Sequence, residues 1–531
     1  MPVVISFRTI ISRAWPGALA GLAAAFCALA VAELVAGLVR PAAGPVTVVG
    51  GAAIDRTPPA LKDFAVRTFG ENDKTVLQLG ILAVLALFAM GLGVVALRHR
   101  RTGTLCVLLF GLVGAVAALT RPDAGPVDAL PSLAGALAGA AVLHLLVSRA
   151  GFRPSGGAHP TPDGGGSSGW NRRSFLTATA ATVTTAAGAG ILGRFLGDRR
   201  SQSAVASRNG LVLPAPASPA PPVPRGAGLR IPGSSPFTTP NRDFYRVDTA
   251  LVVPKVDAST WRLRVHGRGV TRARTFTLAD LLARPLIERD VTLTCVSNEV
   301  GGPYVGNARW LGVPLAALLA ECGVKPPSRG GPADQLVARS VDGMTLGSPV
   351  EDVMDGRDAM LAVGMNGEPL PFDHGFPVRM VVPGLYGYVS ACKWIEDIEL
   401  TTFDAYDAYW VKRSWARRAP IKTQSRIDTP KPFARPATGT VMVAGVAWAQ
   451  RRGITRVQVR VDDGPWRDAD LAAQDTTDTW RQWSYPWRAT SGGHTLTVRA
   501  TDGTGRVQTE KRTRTVPDGA SGWHGVFVTV T

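Results

Sequence analysis

The chain has 531 residues, 46% of them hydrophobic, with 58 Lys and Arg against 40 Asp and Glu, a formal net charge of +18. That length accommodates about three domains, and the apolar fraction is more than a purely soluble protein needs, so part of the chain is expected in a membrane. The basic residues are spread along the sequence with no nucleic-acid motif beside them, which argues against nucleic acid as a partner. Five cysteines, with no CxxC or CxxCH pair, give poor support to a disulfide framework, a zinc ribbon or a c-type haem.

Apolar runs of about 20 residues, enough to span a bilayer, occupy Gly17 to Val39, Val76 to Leu97, Gly103 to Thr120 and Ala129 to Val147. Residues 1–150 therefore read as a four-helix transmembrane region. Arg8 and Arg13 precede the first run, Arg98, Arg100 and Arg101 separate the second and third, and Arg149 and Arg153 follow the fourth. By the positive-inside rule these three regions face the cytoplasm. Charges that would mark a transport pathway are scarce, so the helices read as an anchor and not a transporter. His144 is the single histidine within the runs, and His99 lies at a boundary, too few for a haem-b helix pair.

Residues 151–228 form a linker. Gly151 to Gly169 is rich in Gly, Pro and Ser and reads as flexible. Asn171-Arg172-Arg173-Ser174-Phe175-Leu176, followed by an Ala/Thr/Gly-rich stretch to Leu196, looks like an internal twin-arginine export signal. A plain fifth transmembrane helix with a positive flank is the alternative. Both place the rest of the chain outside the cytoplasm. Leu213 to Pro224 alternates Pro with Ala and is expected to act as a semi-rigid stalk.

Residues 229–426 read as an α+β domain of mixed strands and short helices. Thr260 to Gly267 alternates at the strand period. Phe276 to Ala283 starts a short helix with Thr277 as cap and Asp280 at the capping-box position. Val291 to Cys295 is again strand, and Trp310 to Gly323 has helical spacing, with Pro314 in its first turn and Gly323 as its stop. Two segments carry chemistry. Cys295 offers a soft thiolate ligand. His374-Gly-Phe-Pro-Val-Arg379, continuing through a glycine-rich turn to Lys393-Trp394, offers cations and backbone amides that suit a phosphate. Cys322 and Cys392 read as structural, and spacing leaves a disulfide between them open.

From about Phe237 onward the chain resembles the sulfite oxidase family of molybdopterin enzymes. The likeness rests on Leu293-Thr294-Cys295, on Trp310-x-Gly-Val-Pro-Leu315, on Gly364-Met-Asn366-Gly-Glu-Pro-Leu-Pro371, and on His374-x4-Arg379 through Lys393-Trp394. It implies a molybdenum-molybdopterin cofactor, with Cys295 as metal ligand and catalytic residue. His374, Arg379 and Lys393 would hold the pterin phosphate and pyran edge, with the cofactor-binding Ser390 and backbone amides of the glycine-rich turn nearby, and Asn241, with Arg242 beside it, would touch the cofactor from Thr239-Pro-Asn-Arg-Asp-Phe-Tyr245. The chain departs from the family pattern at Trp415, which stands about where a tyrosine is expected, and after Cys295, where Val296-Ser297-Asn298-Glu299 replaces an arginine pair. No cytochrome b5-like stretch precedes the cofactor domain, so electrons are expected to pass to a separate electron-transfer partner or directly to an unknown acceptor.

Residues 427–531 show short alternating strands at Gly439 to Trp448, Ile454 to Asp462, Trp480 to Trp487 and His494 to Ala500, with turns at Asp463-Gly464 and Asp502-Gly503. They read as an immunoglobulin-like β-sandwich, which resembles the family's dimerisation domain and implies a homodimer. The expectation is a multi-pass cell-membrane protein with its catalytic domain on the extracytoplasmic side. It would carry out two-electron oxygen-atom transfer on a small sulfur oxyanion or sulfoxide. The alternative is a membrane-anchored binding or assembly protein that retains the fold without the chemistry. Alkaline phosphatase fusions check the topology: a fusion after Leu196 is expected to be active and one before Arg172 inactive, and an inactive fusion after Leu196 would overturn the assignment.

Overall fold

The apolar runs form helices. These are α1 (Phe7–Val39), α3 (Asp73–Arg98), α4 (Arg100–Leu119) and α5 (Leu130–Arg149), with a shorter α2 (Pro45–Arg56) after the first and a long α6 (Arg172–Asn209) that carries the chain onward. The computed structural model describes residues 7–57, 61, 68, 73–121, 124–150 and 172–531. The segment 151–169 expected to be a flexible linker, Asn171 of the export-signal segment and most residues between α2 and α3 lie outside the described residues. Among the described residues, α1, α3, α4, α5 and α6 are long and apolar enough to cross a membrane. The four expected runs are thus joined by a fifth over the Ala/Thr/Gly-rich segment.

Two compact units result: residues 1–203 with 250–253, and residues 204–249 with 254–531. Small residues hold the first together, because only they let helix backbones touch. A Cβ on Gly21 would stand 1.9 Å from the carbonyl oxygen of Ala89, and one on Gly93 would stand 1.9 Å from that of Gly17. The helix α3 turns large aliphatic side chains outward, among them Leu79, Val84 and Leu87, each more than 60% exposed, a surface that suits hydrocarbon. The scarcity of charge has one exception in the first run, Glu33.

The second unit begins earlier than Leu229. Its first part contains β1 (Arg262–Gly267), β2 (Arg274–Thr277), β3 (Ile287–Thr294), β4 (Val305–Pro314), β5 (Gln335–Ser340), β6 (Thr345–Pro349), β7 (Met360–Met365), β8 (Glu368–Pro369), β9 (Arg379–Val381) and β10 (Ile395–Thr401). Between them lie the short helices α7 (Leu278–Leu282), α8 (Leu315–Glu321), α9 (Val350–Met354) and α10 (Gly387–Ser390). One sheet runs β2-β1-β10-β5-β6, with β1 and β10 parallel; the other runs β3-β4-β7-β8, with β9 also on β7. The capping box of α7 forms as the sequence implies: Asp280 N–H donates to Thr277 Oγ1 at 3.1 Å and Thr277 N–H to Asp280 at 2.8 Å.

Two expectations are corrected. Trp310 to Pro314 is not the start of a helix: β4 pairs with β3 on one side and β7 on the other, and two ladders outweigh local spacing. The helix starts only at Leu315, and Gly323 stops it at φ +83°. The Pro/Ala-rich segment is not a free stalk either. Ser218 bridges Ile287 on the outer edge of β3, its N–H donates to Leu286 C=O, and its own carbonyl accepts from Glu288 N–H and the Arg289 guanidinium. A proline-rich strap gives little further pairing, which suits it to cover a sheet edge.

The C-terminal part packs two four-stranded antiparallel sheets face to face. One is β11 (Gln424–Thr429), β12 (Gly439–Trp448), β16 (Arg481–Ala489) and β15 (Asp470–Leu471); the other is β14 (Arg467–Asp468), β13 (Ile454–Val461), β17 (Gly492–Asp502) and β18 (His524–Val530). Val443, Val457, Leu496 and Val526 meet in its core. In the helical unit, Gly21→Val is expected to cost about 1–3 kcal/mol through overpacking, read as a lower melting temperature in detergent than a Gly51→Val control, where a Cβ meets open space.

Candidate functional site

Cys295 follows directly after β3, at the end of an edge held from three sides. Its N–H donates to Tyr304 C=O at 3.0 Å. From the sandwich, Gln450 Nε2 donates to Thr292 C=O at 2.7 Å, and Trp480 N–H donates to Thr292 Oγ1 at 2.8 Å. Below the thiol, the turn 299–302 is fixed by Arg426, which donates to Gly302 C=O, and by the His524 ring packed on Gly301. The thiol is buried, as are those of Cys322 and Cys392, and all five cysteines are free. Burial pushes its pKa above the usual value, against hydrogen bonds from Ser297 and the charge of Lys393.

The second segment brings its cations to the same place. Arg379, at the start of β9, is buried with its guanidinium 4.9 Å from the Trp310 ring, and Nη1 donates to His374 C=O at 3.2 Å. Desolvation lowers its pKa to about 10. Lys393 is also buried; its ammonium donates to Asp373 C=O at 2.8 Å and pairs with Asp248 at 3.2 Å. Burial pulls it down to about 8 while Asp248 opposes. His374 is buried as well and donates from Nε2 to Asn241 C=O at 2.9 Å. Desolvation first, then Arg379 and Lys393, hold its pKa near 4, so the ring is neutral. Arg379 Nε and His374 Nδ1 are buried with no hydrogen-bond partner. A donor and an acceptor are thus left waiting in a site that is otherwise well bonded.

The remaining expected residues are placed differently. Asn241 spends its side chain on Met365 C=O, Glu368 and Asn366, so it offers the site only its backbone carbonyl, which orients His374. Ser390 is fully buried, and its hydroxyl donates to the carbonyls of Leu385 and Tyr386, closing the turn at α10. Arg242 points to solvent beside Asp243. Trp415 lies on Tyr388, ring centroids 5.6 Å apart. Cys322 and Cys392 sit apart as free thiols in the apolar core.

Sequence reasoning passed over Asp248, Arg246, Tyr245 and Tyr386. Asp248 is the buried carboxylate of the site and is shared by Lys393 and Arg246, the latter also pairing with Asp373. Tyr245 and Tyr386 both lie near enough to Cys295 to feel its charge, and burial raises both phenols, keeping them as protonated donors. Both tyrosines stand in the two quoted motifs, so the aromatic residues within those motifs were the available signal. Among the described residues, no group of three or more His, Cys, Asp or Glu converges to hold a metal. A metal beside Cys295 would therefore take one protein thiolate, and its other ligands would have to come with a cofactor.

Residues 250–410 match the oxidoreductase molybdopterin binding domain. The chain is 31% identical over 288 residues to mitochondrial sulfite oxidase of Mus musculus, covering 46% of this chain and 52% of that protein. It is 31% identical over 322 residues to sulfite oxidase of Gallus gallus, covering 50% of this chain and 69% of that one. The chain thus spans about half the length of the mammalian relatives it matches. Among solved structures it matches the sulfane dehydrogenase SoxCD of Paracoccus pantotrophus at 27% identity and a TM-score of 0.48, over 55% of this chain and 81% of that one.

The neutral state of His374 has a measurable consequence in cofactor-free protein. An unfolded histidine takes up its proton near pH 6.5 and the folded one only near 4, so between these values the unfolded state binds more protons and stability falls as the pH drops. His524, also held near 4 by burial, acts in the same direction. His374→Asn is expected to remove up to about 3 kcal/mol of that loss, measured by urea unfolding across the window. A slope unchanged by the substitution would contradict the neutral assignment.

Proposed function

The chain belongs to the sulfite oxidase family of molybdopterin-dependent oxidoreductases, and on that premise we propose that it catalyses two-electron oxygen-atom transfer on a small sulfur oxyanion or sulfoxide. It acts, in this reading, from a multi-pass membrane anchor with the catalytic domain on the extracytoplasmic side. Its cofactor is the molybdenum-molybdopterin group of the family. When bound, that group supplies a two-electron redox change coupled to oxygen-atom transfer.

The protein's part is binding, orientation and charge. Cys295 would be the single protein ligand to the metal, and its buried thiol loses its proton when the metal arrives. Arg379 would donate from its unpaired Nε to an anionic group, already held flat by Trp310 and the His374 carbonyl. Lys393 adds a second positive charge, tethered by Asp248 and Asp373. Neutral His374 presents Nδ1 as an acceptor for a ligand N–H or O–H, its tautomer fixed by the Asn241 carbonyl. Asn241 would shape the wall through its backbone carbonyl on His374, and Ser390 through the hydroxyl that closes its turn. Tyr245 and Tyr386 would be the phenol donors beside the thiol in a chain where Trp415 replaces the expected tyrosine.

The observation that carries this reading is the pair of orphaned polar atoms, Arg379 Nε and His374 Nδ1, in the same buried pocket region as a free thiol. These fit an anionic, hydrogen-bonding cofactor with a soft metal and leave little use for an empty cradle. A separate electron-transfer partner and a homodimer through the sandwich belong to the same proposal. The test is the metal content of protein made in a host that supplies the cofactor. About one molybdenum per chain is expected in the wild type, with an altered molybdenum EPR signal in Cys295→Ala. Correctly exported protein with neither metal nor pterin would leave the binding or assembly protein as the reading.

A further inference from the structure

We propose that the helical unit binds the headgroup of a lipid-soluble quinone, between Glu33 of α1 and Arg194 of α6. A cavity of about 330 Å³ opens there, lined by Glu33, Arg194, Asp198, Ser201 and the glycines Gly37 and Gly193. The glycines explain why it exists. A Cβ on Gly37 would come within 2.5 Å of the Gly193 carbonyl, and one on Gly193 within 2.7 Å of the Glu33 carbonyl, so the two backbones cross in contact and the long side chains on either side are held apart.

Glu33 lies seven residues before Arg40, about 10 Å down the helix at 1.5 Å per residue, and inside a candidate span that runs from Ala14 to Val39. An ionisable side chain at that depth is costly and marks a functional site by default. Arg194 is close enough for its charge to act on Glu33. Among the described residues, neither side chain makes a hydrogen bond or an ion pair. A carboxyl and a guanidinium, each with unused hydrogen-bonding capacity, suit a neutral ligand with carbonyl acceptors that become hydroxyls on reduction. A phospholipid headgroup brings similar acceptor oxygens, but with a negative charge that Glu33 and Asp198 oppose.

The role in electron transfer rests on the proposed oxidoreductase reading. Substrate, water and quinone would give oxygenated substrate and quinol: two electrons and two protons leave the substrate side, and both ring carbonyls become hydroxyls. For a sulfoxide the same balance runs in reverse. Glu33 is placed to hand a proton to the ring or to accept one from it.

The experiment uses the full chain in phosphatidylcholine nanodiscs, with decyl-benzoquinone for titration and an azido-quinone for photolabelling. Label is expected on the peptides around Glu33 and Arg194, and Glu33→Gln and Arg194→Gln are each expected to weaken binding about ten-fold with molybdenum content unchanged. Mapping on the wild type does not depend on the variants folding. Label spread over the outward helix faces, wild-type affinity in both variants, or displacement of the quinone by anionic phospholipid alone would overturn the proposal. Quinone binding at these residues in a chain that carries no molybdenum would retain the site and defeat the oxidoreductase reading.

Discussion

Arg379, Lys393 and His374 are taken out of water within one short stretch of chain, with Asp248 as the buried carboxylate that answers them. Desolvation shows in each, pulling the three pKa values down to about 10, 8 and 4 respectively. Burying unbalanced charge opposes folding unless geometry and hydrogen bonds compensate. Here Trp310, the His374 and Asp373 carbonyls and Asp248 each take part of that load. The remainder, one guanidinium N–H donor and one imidazole nitrogen acceptor, is the part of the site that a ligand carrying both an anionic oxygen and an N–H or O–H would complete.

That arrangement needs a rigid frame, and the frame is shared between the two parts of the second unit. The strand bearing Cys295 is an edge strand of its own sheet, and an edge offers loose backbone groups. The sandwich takes them up through Gln450 and Trp480, through Thr292 N–H bonded to Asp478 C=O, and through the Arg426 and His524 contacts on the following turn. The proline-rich strap covers the first residues of the same strand. The sandwich is therefore part of the site's construction, in addition to any partner it meets. A change where it meets the first part, at Gln450 or Trp480, would act on the thiol through backbone position.

Much of this was legible in the residues. The cysteine at a strand end, the His374 to Lys393 segment and the alternating strands after Gly439 each carry their signal locally, as do the apolar runs and the Thr277–Asp280 cap. What was illegible depends on partners far along the chain. Asp248 meets Lys393 across 145 residues, and nothing near Asp248 in sequence distinguishes it from an exposed acid. Trp310 to Pro314 follows helical spacing, yet it lies between two strands that the local pattern does not reveal. Ser218 reads as part of a semi-rigid stalk because its pairing with Ile287 is tertiary. Asn241 was expected to act through its side chain, whereas the structure turns its backbone carbonyl to His374, and the Ser390 hydroxyl is spent on the carbonyls of its own turn.

The thiol and the cradle set opposite conditions on the same pocket. Burial holds Cys295 protonated when nothing displaces the proton, and it also keeps Tyr245 and Tyr386 as neutral donors. Lys393 and Ser297 pull the other way at the thiol, and a metal held there, as proposed, would decide the outcome. An anion settling against Arg379 and Lys393 would raise the proton affinity of both and ease the charge that adds to desolvation in keeping His374 neutral. Metal at the thiol releases a proton, and anion at the cradle favours retaining one. The two halves of a cofactor that carries both groups therefore compensate each other, and neither half alone satisfies the pocket as well.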